Sequence, residues 1–453
     1  MGKRSKYILG RFHVLFVILL SSMVFLVAGC GGGSSTSTYS ITYNGNGNTS
    51  GSVPTDSSTY QQGNTVTVLG NTGSLVKTGF SFAGWNTLAN GSGTTYTASQ
   101  TFTMGTANVT LYAKWTASTG QGYAYVANQY DNTISQYTIG ADGALTPMSP
   151  ATVATGDTPE WITVDPSGKY VYVANAKPTP AGRIYQYTIG ADGTLSPMSI
   201  PWVSAGTYPE SIAIDPSGKY AYVANDQSGN ISEYTIGADG ALILIGTIMS
   251  GTGYPNAPSS VVVDPSGKYV YVSNTDGKSV SQYTIGATGA LMPMTPATVA
   301  TSGTNGNAWH MTIHPSGGYL YVAGYFDNVV FQYTVGTSGA LTPMTTVATG
   351  SYPASIAVDP SGKYAYVANA TGSISQYTIV SGAFTPMTPA TIGTSQAAWV
   401  TIDASGKYLY ATSGYPGSTI SQYTIGTDGT LTPMTPATVT SGSGPNSMVT
   451  VQK

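Results

Sequence analysis

The chain has 453 residues, of which only 7% are Asp, Glu, Lys or Arg, about a quarter of the usual share. The 57 glycines and the many Ser, Thr and Tyr residues favour short strands and tight turns over long helices. Nucleic acid is excluded as a partner, because it selects clusters of Lys and Arg, and no such cluster follows Arg11.

The chain begins with a charged segment and then an apolar run of 16 residues, Val14 to Gly29. This order is typical of a signal peptide, and the run is short for a membrane span. The preceding cations are Lys3, Arg4, Lys6 and Arg11. We therefore predict that residues 1–29 are a signal peptide and that the protein is exported.

Cys30, the only cysteine, directly follows the apolar run in the sequence Val27-Ala28-Gly29-Cys30. This stretch resembles the lipobox of bacterial lipoproteins. The resemblance implies that Cys30 becomes the mature N-terminus and carries a lipid that anchors it in a membrane. Because Gly31 stands where an inner-membrane retention signal would have Asp, we expect the outer membrane or the cell surface. A plain signal peptide or an uncut anchor is the alternative.

Residues 30–38 are small and polar and predict a flexible tether. Residues 39–117 then carry the phrases "GFSFAGWNT" and "TLYAKW", which resemble the Listeria–Bacteroides repeat of internalin-type surface proteins. The resemblance implies a small β-grasp-like module that serves as a spacer or an adhesive and performs no catalysis. We expect Trp85 and Trp115 to lie in its core.

From residue 123 onward the sequence repeats one unit seven times, with a spacing of 44–50 residues. Each unit contains variants of Tyr-Val-Ala-Asn and of Gln-Tyr-Thr-Ile and four strand-like runs, the pattern of a β-propeller. The first copy starts at its second strand, and the chain ends with an orphan first strand, 447–451. We therefore predict an all-β chain whose residues 123–453 form a seven-bladed β-propeller, closed by pairing 447–451 with 123–128.

The repeated "DPSGK" contains an Asp and a Lys in nearly every copy. Asp at the first position of a tight turn accepts a backbone N–H two residues on, Pro fixes φ at the next position, and Gly tolerates the left-handed exit. We therefore interpret these aspartates as turn residues and not as catalytic or metal-binding residues: Asp165, Asp215, Asp264 and Asp359.

Function is expected instead where the repeat varies, on the face that carries the loops entering each first strand. Aligning these entries places three titratable candidates for catalysis at the mouth of the central channel, Glu160, Glu210 and His310. The predicted walls and ligand-binding residues are Trp161, Trp309, Trp399, Arg183 and Tyr325. The alternative is that the tryptophans fill the channel and the polar residues are only hydrated.

The repeats resemble the seven-bladed lactonase family of 6-phosphogluconolactonase-type enzymes and carboxymuconate cyclases, and also the surface-layer YVTN propellers. The best local match is "AWHMTIHPSGGYLYVAG", 308–324, in which His310 and His314 fall on the two family histidines. The family's Arg is Trp309 here, its Glu is Tyr325, and a further catalytic histidine falls near Ser259 and Ser260. These departures count against catalysis, and His314 is expected to be a turn residue.

We therefore favour a lipid-anchored surface protein whose propeller is a binding or interaction platform. A lactonase-like hydrolase with a diverged site is the first alternative, and a purely structural or adhesive envelope component is the second. We expect a monomer without cofactor or metal, bound to the membrane through the lipid on Cys30. Its predicted ligand at the propeller mouth is a carbohydrate, a lactone or a protein.

Overall fold

The computed structural model describes residues 36–48, 51–73, 75, 77, 80–117, 122–177, 181–251, 257–305 and 307–452. The predicted signal peptide 1–29 and Cys30 lie outside the described residues, as does most of the predicted tether. Within the described ranges all regular secondary structure is β-strand, which confirms the all-β class. This part of the chain contains no helix of the length and apolarity that crossing a membrane requires.

The N-terminal module is built on a mixed four-stranded sheet in the order Ile41–Asn44, Val109–Ala117, Phe80–Asn86 and Thr95–Tyr96. The first two strands run parallel. Two further strand pairs join Thr38–Tyr39 to Tyr60–Gln61 and Thr65–Thr67 to Thr101–Thr103. Trp85 is fully buried in the core, where its indole N–H donates to the carbonyl of Leu69 at 2.9 Å, and Trp115 packs against the same core.

From residue 122 onward the described chain forms seven blades, each an antiparallel sheet whose strands we label a to d from the channel outward. Blade 1 takes strand a from the C-terminal segment Pro445–Gln452, which contains the predicted 447–451. Its other strands are Gly122–Asn128, Thr133–Ile139 and Leu145–Ala154. The two ends of the repeat array therefore meet in one sheet.

Blades 2 to 7 follow in chain order with the same arrangement. Their a strands are Pro159–Val164, Pro209–Ile214, Pro258–Val263, Ala308–Ile313, Pro353–Val358 and Trp399–Ile402. Their b strands are Tyr170–Asn175, Tyr220–Asn225, Tyr269–Asn274, Tyr319–Gly324, Tyr364–Asn369 and Tyr408–Thr412. Their c strands are Arg183–Ile189, Asn230–Ile236, Ser279–Ile285, Val329–Val335, Ser373–Val380 and Thr419–Ile425. Their d strands are Leu195–Ser204, Leu242–Met249, Leu291–Ala300, Leu341–Pro343 with Val347–Ala348, Ala383–Gly393 and Leu431–Thr440.

Neighbouring blades are joined by apolar clusters that bury both faces of the b strands. The same tyrosine of each b strand also donates its buried hydroxyl to a carbonyl in the c–d turn of the next blade, at 2.6–2.9 Å. The bond from Tyr410 to Gly143 closes the ring from blade 7 to blade 1. The accepting glycine has a positive φ of 78–87°. A side chain there would also strike a tyrosine ring, which explains why each c–d turn keeps its glycine.

The repeated aspartates are turn residues, as predicted. In the first such turn, Asp165 Oδ1 accepts the N–H groups of Lys169 and Tyr170 at 2.8 and 2.7 Å, and Oδ2 accepts the N–H of Ser167 at 3.0 Å. The Lys169 side chain is exposed. His314 replaces this Asp in blade 5, where its Nε2 lies 2.9 Å from the carbonyl oxygen of Gly362 in the next blade.

Candidate ligand site at the channel mouth

The seven a strands begin around the mouth of the central channel. At this point each blade contributes two consecutive residues, whose side chains form an upper ring and a lower ring. The upper ring consists of Glu160, Glu210, Ser259, Trp309, Ala354, Ala398 and Asn446. The lower ring consists of Trp161, Ser211, Ser260, His310, Ser355, Trp399 and Ser447. All of the upper ring and four members of the lower ring line one cavity of about 90 Å³. The structure thus brings together six of the eight residues predicted for catalysis and ligand binding.

The four serines of the lower ring connect neighbouring blades. The Oγ atom of each accepts the N–H of the residue that directly follows the lower-ring position in the next blade, at 2.9–3.4 Å. His310 occupies a serine position and makes the same bond, since its Nδ1 accepts the N–H of Ile356 at 3.1 Å. The proton of the neutral ring therefore sits on Nε2.

His310 is 7% exposed, and burial lowers its pKa to about 3. The imidazole is consequently neutral at physiological pH, with Nδ1 occupied by a backbone N–H and Nε2 carrying a proton. In this state His310 can donate a hydrogen bond, but it has no free nitrogen with which to accept a proton from water.

Trp161, His310 and Trp399 fill the channel as a three-ring partition. The His310 ring stacks on Trp161 at a centroid distance of 5.5 Å and meets Trp399 edge-on at 4.8 Å, and the two indoles lie 4.5 Å apart. The three residues line both the mouth cavity and a space of about 350 Å³ beneath it. Trp309 instead stands on the rim, 37% exposed.

The two mouth glutamates have different environments. Glu160 accepts hydrogen bonds from the side chains of Gln129 at 2.7 Å and Asn446 at 2.9 Å. Burial raises the pKa of Glu160, while these bonds, one from Tyr208 and the charge of Lys177 oppose the rise. Glu160 is thus the better stabilised carboxylate.

Burial raises the pKa of Glu210 well above its ordinary value, and the negative charges of Asp226 and Glu160 raise it further. Within the described part of the chain, the side-chain carboxyl group of Glu210 forms no hydrogen bond. The mouth therefore pairs a carboxylate that accepts hydrogen bonds with a second carboxyl group that holds its proton more tightly.

Two predicted ligand-binding residues lie away from the cavity walls. The guanidinium of Arg183 stacks over the ring of Trp202 at 3.9 Å, on strands c and d of blade 2. Tyr325 stands behind Trp309, with ring centroids 5.3 Å apart. Gln129 and Tyr208, which bond to Glu160, were not predicted from the sequence. Both lie in connecting loops of variable sequence, outside the aligned starts of the a strands.

These features define a closed seven-bladed propeller with a polar, aromatic cavity at one mouth of its channel. The family model for the lactonase seven-bladed β-propeller matches residues 92–179, 124–369 and 328–452. The chain therefore belongs to the lactonase family of seven-bladed propellers. The Listeria–Bacteroides repeat domain matches residues 39–114, as the sequence predicts.

Solved structures with the same fold include a candidate 6-phosphogluconolactonase from Bacteroides uniformis, 19% identical with a TM-score of 0.63. A periplasmic gluconolactonase from Pseudomonas aeruginosa is 18% identical, also with a TM-score of 0.63. Each alignment covers 73% of this chain and 100% or 99% of the other. At these identities the likeness concerns the fold.

Two curated relatives from Evansella cellulosilytica match short stretches of the chain. A candidate Gly-rich membrane protein is 42% identical over 78 residues, and a candidate membrane protein is 38% identical over 81 residues. The matches cover 17% and 18% of this chain but only 9% and 12% of those relatives.

Proposed function

We propose that this chain is an exported, lipid-anchored envelope protein whose propeller binds an uncharged, hydroxyl-rich ligand at the channel mouth. The ligand class is a sugar or a sugar lactone. Because the cavity has a volume of only about 90 Å³, below the roughly 300–1,000 Å³ of most small-molecule sites, it takes one end of the ligand while the remainder stays at the surface.

The observation that carries the choice of binding over catalysis is the hydrogen bond from Ile356 N–H to His310 Nδ1. Hydrolysis of a lactone needs a base that takes a proton from water. His310 is neutral and its Nδ1 is already occupied, so it lacks that capacity and serves as a donor. The positions of the family's Arg and Glu hold Trp309 and Tyr325, whose rings contact each other.

The choice of an uncharged ligand follows from the electrostatics of the mouth. Among the described residues that line the cavity, none is Lys or Arg. Glu160 is close to a second acidic group, Glu210, which is itself close to Asp226. A phosphate or carboxylate would meet negative charge, whereas sugar hydroxyls can donate to Glu160 and their C–H faces can pack on the indole of Trp309.

The proposed anchorage is supported by the N-terminal sequence, in which Cys30 follows the apolar run. The module at residues 39–114 belongs to a repeat domain that we infer acts here as a surface spacer. The two Evansella relatives are named as membrane proteins, which agrees with an envelope location. Labelling with radioactive palmitate in the native host should mark the wild type and not Cys30→Ser, and an unlabelled wild type would refute lipidation.

Binding is best tested by calorimetry on the full chain with glucose, gluconolactone and 6-phosphogluconolactone. We expect the uncharged ligands to bind at least tenfold more tightly than the phosphorylated one. The chain offers a matched variant, His310→Ser, because four other blades hold Ser at this position and keep the inter-blade bond. His310→Ser should fold and lose affinity, and equal affinity in the wild type and this variant would contradict the assignment.

Lactone hydrolysis is the second candidate, favoured by family membership and by the two glutamates with separated proton affinities. In this case Glu160 is the base and the protonated Glu210 the acid at one cavity. Glu160→Gln would then abolish turnover of gluconolactone while leaving product affinity within a few-fold. The second function would be favoured over the first if the wild type hydrolyses gluconolactone and either Glu160→Gln or His310→Ser removes this activity.

A further inference from the structure

The outer strand of blade 3, Leu242–Met249, breaks a rule that the other six outer strands obey. In every other blade the d-strand residue paired with the c-strand tyrosine is proline. These prolines are Pro147, Pro197, Pro293, Pro343, Pro386 and Pro433. In blade 3 the residue paired with Tyr234 is Leu244.

Proline on an outer strand removes a backbone donor at the open edge of a sheet, which discourages pairing with another chain. On an edge strand it is tolerated where the N–H would point away from the sheet. The same position in blade 3 therefore directs the N–H of Leu244 outward, from a strand whose outer side has no partner in the described structure. Blade 3 therefore keeps a backbone donor on its outer edge at the position where proline removes it in the other six blades.

The side chains of this strand are also unusual for a surface. Ile243, Leu244 and Ile245 are 56%, 51% and 41% exposed, and Met249 is 52% exposed. Consecutive residues point to opposite faces of a strand, so both faces of the edge are apolar. The outer strands of blades 2 and 4 add exposed Ile200 and Met292. Exposed apolar surface of this kind marks an interaction site.

We propose that the outer strand of blade 3 pairs with the same strand of a second copy of this chain. Leu242–Met249 contains no charged residue, so antiparallel pairing about a two-fold axis brings no like charges together and places apolar side chains opposite each other. The two four-stranded blades then form one eight-stranded sheet. This dimer departs from the monomer expected from the sequence, and it does not depend on the ligand proposed for the mouth.

The test is the mass of the full chain in solution as a function of concentration, by analytical ultracentrifugation. We expect a reversible transition from one chain to two. Leu244→Pro restores the residue that six blades already accommodate, so it should fold with an unchanged circular dichroism spectrum and stay monomeric. Leu244→Val keeps the N–H and the apolar surface and should still dimerise.

Hydrogen exchange gives an independent measurement, because the amides of Leu242–Met249 should become protected as the protein concentration rises. Should Leu244→Pro fail to fold, Leu244→Lys tests the same edge by placing like charges across the axis. A wild type that is monomeric at all concentrations would overturn the proposal. Dimerisation of the Leu244→Pro protein would also overturn it. So would binding to lipid vesicles that depends on Leu244 and occurs without self-association.

Discussion

Glu233 replaces, in blade 3, a glutamine that the six other blades hold at the same place on strand c. All seven side chains accept a backbone N–H from the first or second residue of the d strand of the next blade, and for Glu233 this bond, from Leu291, is 2.8 Å long. The six glutamines also donate their amide N–H to a carbonyl of the d segment of their own blade, at 2.6–3.2 Å; in blade 5 this carbonyl, of Thr345, lies between the two d strands. An ionised Glu233 cannot make this second bond.

We predict that Glu233→Gln stabilises the protein at neutral pH. Glu233 is 5% exposed, and burial raises its pKa above the ordinary value, partly offset by the bond from Leu291. The variant removes a buried charge, while its amide oxygen can still accept the N–H of Leu291, and the net gain is about 1–2 kcal/mol. For the propeller, residues 122–452, an unfolding entropy of about 2.1 cal/mol/K per residue converts this gain to a rise in Tm of roughly 1.5–3 °C.

The gain should depend on pH in a defined direction. Because the folded-state pKa lies above the unfolded one, the stability associated with the protonated Glu233 is complete below the ordinary pKa and is lost as pH rises through the folded value. The wild type and Glu233→Gln should thus differ most near pH 7 and converge near pH 4. Calorimetric scans at both pH values measure this difference.

The reverse exchange in the next blade is the matched control. Gln282→Glu should lower Tm at pH 7 by a similar amount and recover toward pH 4, because Gln282 makes both bonds. A Glu233→Gln protein that is less stable than the wild type at pH 7, or a gain that is equal at both pH values, would refute this account of the position.

Three further outcomes follow from the bonds between strands and blades. Tyr410→Phe removes the donor to Gly143 and should cost about 1–3 kcal/mol in chemical denaturation; an unchanged midpoint would mean that this ring-closing bond does not contribute. Asp215→Ala leaves the N–H of Tyr220 without its acceptor, and it should cost about 2 kcal/mol without changing ligand affinity, since this turn faces the other end of the channel. Trp399→Ser opens the three-ring partition and should raise quenching of the remaining indoles by acrylamide, whereas equal quenching would show that the partition does not restrict access.

The fold could be predicted in detail because a repeated sequence reveals its own alignment. Each repeat contains four strand-like runs, which predicts a four-stranded blade. Because the first copy begins at its second run and the chain ends with an extra first run, the alignment also predicts the pairing of the last strand with Gly122–Asn128. The same alignment placed Glu160, Glu210 and His310 around one mouth, since equivalent positions of a closed ring face a common axis. These parts depend on register alone.

The contacts of individual side chains could not be read in this way. Arg183 shares the varied face with the mouth, but its stacking on Trp202 follows from strand pairing within blade 2. Whether His310 faces the cavity as an acid, a base or a donor depends on the N–H of Ile356, one blade further on. The exceptions at Glu233 and Leu244 were visible in the aligned repeats, but their meaning required the partner of each residue.

The composite first blade also has a consequence for the order of folding. The hydroxyl of Tyr137 donates to the carbonyl of Thr440, 303 residues later, and Gly122–Asn128 is buried along its whole length only when Pro445–Gln452 lies beside it. During synthesis from the N-terminus, this apolar strand is among the first parts of the propeller to emerge. It stays uncovered until the last strand of the propeller is made. Contacts of such large separation form slowly. The propeller is consequently most vulnerable to aggregation and proteolysis at blade 1, in the interval before its final strand arrives.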